Sequence, residues 1–283
     1  MQLLRRLKTG FVLTKDSLLV MRHNPELFLF PAVSGLAGLG FLVVFLGVTF
    51  GLLAASLDAL ALVGLFVTYL VLTFVSSFFA AAMVHQTREV LAGSDASLRE
   101  GMAAAWEVKG SLLVWSLISA TVGILINAIE NSDSRLGRLV GAVFGVAWTL
   151  MTFFVVPVIV FERVSTKEMF TRSAGTFKQT WGETPISLLG INVVSAVVAL
   201  PFALPGIYLF DAGFALTGIG LLFVGALLSF LIAQTLQGVV KTTLYLYASD
   251  GTRPEEFDNV DFDGLASQRQ GTGRRSPMSG GFR

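Results

Sequence analysis

Residues 27–84 read LFLFPAVSGLAGLGFLVVFLGVTFGLLAASLDALALVGLFVTYLVLTFVSSFFAAAMV, and Asp58 is the only charged side chain among them. A helix crosses the hydrocarbon core of a bilayer with roughly 20 apolar residues. The stretch is therefore long enough for two crossings, and Asp58 falls where the chain must turn between them. Working outward, a cut at every Asp, Glu, Lys, Arg and His leaves six long apolar runs: Leu27–Leu57, Ala59–Val84, Gly110–Ile129, Leu139–Phe161, Thr184–Phe210 and Ala212–Val240. Their apolarity is continuous and does not alternate at every second residue, which predicts helices and not a barrel. The sixth helix reads on to about residue 247, so 1–247 is expected to form one all-α, polytopic membrane domain.

Composition agrees. Of 283 residues, 54% are hydrophobic and 14% charged, whereas soluble domains carry about 25% charged residues. Lipid must be part of this chain's solvent. Cysteine is absent, which excludes disulfides, thiolate metal sites and a cysteine nucleophile. The first apolar run is far longer than the roughly 7–15 residues of a signal-peptide core, so it reads as an uncleaved first span.

Charge placement fixes the expected orientation. On one side the links are Asp58, Glu130–Arg138 and Asp211; on the other lie 1–26, 85–109, 162–183 and 241–283, with 18 of the 20 Lys and Arg. The positive-inside rule puts that richer side, and both termini, in the cytoplasm of a cell-membrane protein. In the fifth run, Pro201 and Pro205 each lack the amide proton that continues a helix. They favour an outer turn at Leu200–Gly206 over an intramembrane kink.

A threefold pattern underlies the spans: three hairpins, each preceded by a cytoplasmic amphipathic elbow helix, at about 1–23, 97–108 and 165–182. Ser97-Leu98-Arg99-Glu100 and Ser165-Thr166-Lys167-Glu168 both match the S-x-x-E capping box. Leu98, Met102, Ala105 and Trp106 share a face behind the first box, and Phe170, Ala174, Phe177 and Trp181 behind the second. In the leading stretch, Leu4, Leu7, Phe11 and Leu18 line up opposite Arg5, Arg6, Lys8, Lys15 and Arg22. Such stripes suit a helix in the headgroup plane, with Arg5, Arg6, Lys8, Trp106 and Trp181 as lipid-surface contacts; packing on the span ends needs the same apolar face. Asn24-Pro25-Glu26 reads as the start of the first span, with a cap, a proline at the first position and an acid in the first turn. Residues 248–283, acidic and then rich in Gln, Gly, Ser and Arg, are expected to be a disordered cytoplasmic tail.

The run Ser17-Leu18-Leu19-Val20-Met21-Arg22-His23-Asn24-Pro25-Glu26-Leu27-Phe28-Leu29-Phe30-Pro31 joins an amphipathic segment, a polar break, an acid–Leu step, aliphatics and a proline. Phe78–Val84, Gly101, Trp106 and the stretch from Trp115 to Gly123 add to the pattern. Over roughly residues 10–245 the chain resembles a family of prokaryotic six-helix membrane proteins known only as a domain of unknown function. More loosely, it is similar to membrane domains attached to some glycerophosphodiester phosphodiesterases. The resemblance implies the fold and brings no activity. The soluble phosphodiesterase domain is missing from this sequence, so that chemistry does not transfer.

Ionisable residues inside a membrane are costly and default to functional hypotheses; the six runs contain essentially none. The two histidines, His23 and His85, are too few for a multi-histidine metal cluster, and no P-loop, dinucleotide fingerprint, zinc motif or nucleophile elbow occurs. No cofactor, nucleic acid or catalytic residue is expected. Asn127, Asn192, Gln234 and Gln237 are the amides in the spans. They hydrogen-bond between helices in the ordinary case, and Gln234 and Gln237, three apart on one face, are the candidates for a polar cavity. Gly137, Gly141 and Gly145, and likewise Gly47 and Gly51, repeat every four residues. That spacing lets helices approach closely, within the bundle or in a homo-oligomer.

Two functions lead, and an intramembrane enzyme comes third for want of any acid–base pair in the spans. One is a non-enzymatic scaffold or accessory protein, acting on membrane lipids (anionic ones included) and on a protein partner through its cytoplasmic elbows and tail. The alternative is a transporter or channel for an uncharged or lipid-like solute. A dry, close-packed bundle would favour the first, and a polar pocket around Gln234 the second.

Overall fold

The computed structural model describes residues 2–132, 134–180 and 184–250, with side chains from 12–132, 134–180 and 190–249. Of the tail expected at 248–283, residues 248–250 continue the last helix; the rest of it, Trp181, and the side chains of Arg5, Arg6 and Lys8 lie outside them. Among the described residues the fold is all-helical: α1 (Gln2–His23), a 3-10 turn (Pro25–Phe28), α2 (Leu29–Ala54), α3 (Asp58–Leu91), α4 (Leu98–Glu107), α5 (Lys109–Glu130), α6 (Arg135–Thr152), α7 (Val155–Glu162), α8 (Thr166–Gln179), α9 (Thr184–Asp211) and α10 (Ala215–Asp250).

Among the described residues, six segments are long and apolar enough to cross a membrane: Pro25–Ala54, Asp58–Leu91, Lys109–Glu130, Arg135–Glu162, Gly190–Asp211 and Ala215–Ser249. Their flanks bare Leu36, Val43, Leu62 and Leu136, which are 71%, 72%, 69% and 72% exposed. Apolar surface on this scale needs lipid to cover it. The chain is a multi-pass membrane protein.

Consecutive long helices pack together, α2 on α3, α5 on α6 and α9 on α10. The α2–α3 turn is tight: Ser56 takes a left-handed φ of 58° and the Leu57 N–H donates to the Leu52 carbonyl at 2.9 Å. The α9–α10 turn falls at Ala212–Phe214, where Gly213 has φ 90° and the Phe214 N–H reaches the Leu209 carbonyl at 2.9 Å, the glycine stop expected at a helix end. Pro201 and Pro205 therefore lie inside α9, which corrects the outer turn expected at Leu200–Gly206. Unwinding there would bare several amides to hydrocarbon, whereas a proline within the helix frees a single carbonyl. Just beyond them the two backbones nearly touch, because a Cβ on Gly218 would meet the Gly206 carbonyl and the Phe210 nitrogen at 2.7 Å.

Other boundaries shift for local reasons. Asn24 does not cap the first span; its Nδ2 donates back to the Val20 carbonyl at 3.0 Å and closes α1 instead. The second span runs past Val84 to Leu91, with Gln86 and Thr87 fully buried. The fourth, read as continuous over 139–161, is broken at Phe153–Phe154. Pro157 supplies no N–H for the Phe153 carbonyl four residues back, and Ser173 of α8 occupies the gap. Its Oγ accepts from the Phe154 N–H at 3.0 Å and donates to the Met151 carbonyl at 2.7 Å.

The buried core gathers at one end of the bundle, where α2 and α5 begin and α3 and α10 finish. Leu27, Phe30, Ala81, Ala82, Leu112 and Leu244 are among its members. Helices α4 and α8 press against this end. A Cβ on Gly101 would meet Phe30 Cε1 at 2.8 Å and the Ala82 carbonyl at 2.9 Å, so α4 lies backbone-close on α3. Phe170 of α8 packs on Trp115 and Trp148 at 6.0 and 5.8 Å.

Candidate functional site

Above the core, α2, α3, α5, the α6–α7 break and α10 enclose a cavity of about 520 Å³. It exists because three of its walls are built small or interrupted: Ser34, Gly35 and Gly38 on α2, Ser76, Ser77 and Ala80 on α3, and Thr152–Phe153 at the break. The fourth wall is polar. On α10, Phe230, Gln234, Gln237, Gly238 and Lys241 line the cavity, at spacings that put them on one helical face.

Lys241 dominates the electrostatics. Its ammonium sits 4.6 Å from the centroid of the Phe153 ring, and no Asp or Glu lines the cavity. Among the described residues no carboxylate pairs with it; Glu107 is taken by Arg163, and Glu162 by Arg172 and the Tyr245 hydroxyl. A cation–π contact contributes about 0.5–2 kcal/mol, less than the several kcal/mol that an ion loses on leaving water. Residues 242–246 below it are buried, so the core separates Lys241 from the near end of the bundle. The ammonium is thus held in a partly enclosed site with an aromatic face, two amides and no counter-charge.

The other residues singled out in the sequence scatter. Gln234 and Gln237 share the cavity, whereas Asn127 sits exposed near the end of α5 with its side-chain oxygen accepting from Asn131 Nδ2 at 3.1 Å, and Asn192 is exposed on α9. Gly141 and Gly145 approach α5: added Cβ atoms would lie 2.8 Å from Glu130 Cγ and 3.3 Å from Ile126 Cγ2. Gly137 faces Ser132 and Ser134 in the preceding turn. Cβ atoms added at Gly47 and Gly51 would meet nothing within 4 Å, so among the described residues this pair makes no close helix contact. Trp106 is 60% exposed beneath the Lys109 ammonium, 3.8 Å from its centroid.

Lys241 falls just outside the sixth apolar run, which ends at Val240, but inside α10. The sixth helix reads on to about residue 247, past that lysine, and α10 continues to Asp250. The signal was present as spacing, since Gln234, Gln237 and Lys241 repeat at three and four. Nothing local marks Ser173 or Phe153. Among the described residues no group of three or more His, Asp or Glu side chains could hold a metal ion.

The sequence pattern of a family of unknown function (DUF6159) matches residues 58–255. No curated protein and no solved structure matches the chain. The matched segment covers all the cavity walls except α2, and well over half of the chain, so the protein belongs to this family of unknown function.

Proposed function

We propose that the protein binds a lipid-like solute inside the membrane and presents or passes it across without a covalent step. One observation carries this reading: a polar stripe of Gln234, Gln237 and Lys241 faces small and apolar walls across a cavity of about 520 Å³. Ligand pockets span about 300–1,000 Å³ and pair apolar walls with a few placed polar groups. Irregular backbone at membrane depth is tolerated where it lines a cavity, and binding sites of transporters use such broken helices; the break at Phe153–Phe154 has that position.

In this proposal the six spans form three parallel hairpins with both termini in the cytoplasm, each led by an amphipathic elbow. The first elbow carries Arg5, Arg6 and Lys8 toward anionic lipid. The scaffold reading rests on those elbows and on the tail, and the exposed Trp106–Lys109 pair supports a lipid contact for the second. For the third, the burial of Met169, Ser173 and Phe177 favours packing on the spans. The cavity gives the solute reading an observation that the scaffold reading lacks. The looser likeness to phosphodiesterase-linked membrane domains agrees with a lipid-related role and carries none of the argument.

Filling the cavity tests the proposal. Gly35 and Gly38 both line it; an added Cβ meets nothing within 4 Å at Gly35 and only Leu72 Cδ2, at 3.9 Å, at Gly38. Gly35→Leu combined with Gly38→Leu should fold and lose photo-crosslinking of a diazirine-tailed lipid to the peptide spanning Gln234–Lys241. Equal crosslinking in wild type and the filled variant would refute a site in the cavity.

A further inference from the structure

We propose that the head of the bound amphiphile carries one negative charge and that Lys241 is its counter-ion. The inference rests on the reading of the cavity as a lipid-like site and names the class of ligand. Among the cavity's lining residues Lys241 alone carries a charge, so the empty site holds a single cation, and a ligand with one anionic group leaves it neutral. A zwitterionic head would bring a second cation beside Lys241 with no acid to receive it. A doubly charged phosphate monoester would leave one negative charge uncompensated.

The remaining polar groups fit the same head. Gln237 precedes Lys241 by one helical turn and Gln234 by two, so their amide N–H donors fall on the same face. The Thr152 hydroxyl is spent on the Trp148 carbonyl at 2.8 Å, which leaves recognition to α10 and to the serines of the opposite walls. Phe153 covers the ammonium from the side of the helix break, its ring centroid 4.6 Å away. Gly35, Gly38 and Leu72 on α2 and α3, with Phe230 further along α10, offer an apolar path for an acyl chain.

Carboxylates and phosphodiesters both satisfy this chemistry, and a small soluble anion would satisfy the charge alone. Native mass spectrometry of the full chain in neutral detergent separates these cases. The probes are dioleoylphosphatidylglycerol, oleate, dioleoylphosphatidylcholine and tail-free glycerol 3-phosphate. Wild-type protein should retain phosphatidylglycerol or oleate over phosphatidylcholine by on the order of tenfold, the scale of one charge-assisted contact. Glycerol 3-phosphate should not compete. Lys241→Met should remove the preference for the anionic lipids over phosphatidylcholine, and Lys241→Arg should keep it.

Equal retention of the anionic and zwitterionic lipids by wild type would overturn the charge assignment and leave the cavity reading standing. A preference that persists in Lys241→Met would place the anionic lipid on the basic outer faces and would overturn it as well. Displacement by glycerol 3-phosphate would reassign the site to a soluble anion. Retention of no lipid by any form would instead count against the cavity reading. The wild-type comparison stands by itself if Lys241→Met does not fold.

Discussion

Gly101 has no room for a methyl group. Phe30 Cε1, Gln86 Cγ and the Ala82 carbonyl all lie within 2.9 Å of where its Cβ would be, and a backbone oxygen cannot move aside. Gly101→Ala should therefore destabilise the protein by about 1–3 kcal/mol, the usual cost of overpacking, read as a lower detergent melting temperature. Asp16 works in the other direction. It is buried, with Oδ2 unpartnered among the described residues, and that burial raises its carboxyl above the usual 3.8, against an opposing pull from Lys15. A raised folded value means that the acid binds its proton more tightly when folded, so stability falls as pH rises through 3.8 and up to the shifted value. Asp16→Asn should raise the melting temperature at neutral pH, with the gain vanishing in acid; no gain at neutral pH would contradict the assignment. At this scale the sequence was informative where a residue's role follows from its type and spacing, as for Gln234 and Gln237. For Lys241 the spacing was there, but its charge marks a helix end as readily as a cavity, so type alone did not join it to the glutamines. Asn127 and Asn192 share the chemistry of the glutamines, yet they point elsewhere because helix rotation is set by neighbours.

Among the elements, the broken fourth span depends most on a distant partner. Ser173 satisfies both the Phe154 N–H and the Met151 carbonyl. Ser173→Ala leaves the buried Phe154 N–H unpaired, at about 1–3 kcal/mol, and frees the part-buried Met151 carbonyl; it should speed hydrogen exchange at Phe154 before it affects α3 or α10. Unchanged exchange there would show that the hydroxyl is dispensable. The start of α8 offers a pH readout. The Glu168 carboxylate accepts from the Ser165 hydroxyl at 2.7 Å and from its N–H at 3.2 Å. Those bonds, the hydroxyl first, hold the carboxyl below the usual 4.5. A lowered folded value means that the support is complete above 4.5 and is lost as pH falls through the shifted value. Exchange at the first amides of α8 should accelerate in acid in wild type, and Glu168→Gln should abolish that pH dependence. This second capping box was legible from four adjacent residues. The first was only half legible: the Glu100 N–H does reach Ser97 Oγ at 3.4 Å, but the Ser97 N–H donates to Gln86 Oε1 at 2.7 Å. A glutamine 11 residues away is beyond any local motif.

For the molecule as a whole, the six spans followed from run length and charge alone, because hydrocarbon thickness imposes both on any chain that crosses it. The cavity did not, since it arises where faces of several helices fail to meet, and pairwise packing is not written in any one run. Sidedness is directly testable because the chain has no cysteine. Single cysteines at Ser94, between α3 and α4, and at Ser134, before α6, should react with a membrane-impermeant maleimide from opposite sides of intact cells. The positive-inside expectation is that only Ser134→Cys reacts from outside; the reverse pattern would invert the topology.

The interrupted fourth rod has a mechanical corollary. Its first piece, α6, leans on α5, and its second, α7, on α3, while α8 spans the joint. Bending an intact helix stretches its ladder of hydrogen bonds, but at Pro157 a rung is already missing. Flexure can therefore concentrate at Phe153, and swinging one piece against the other would lift that ring from the lysine without unwinding a turn.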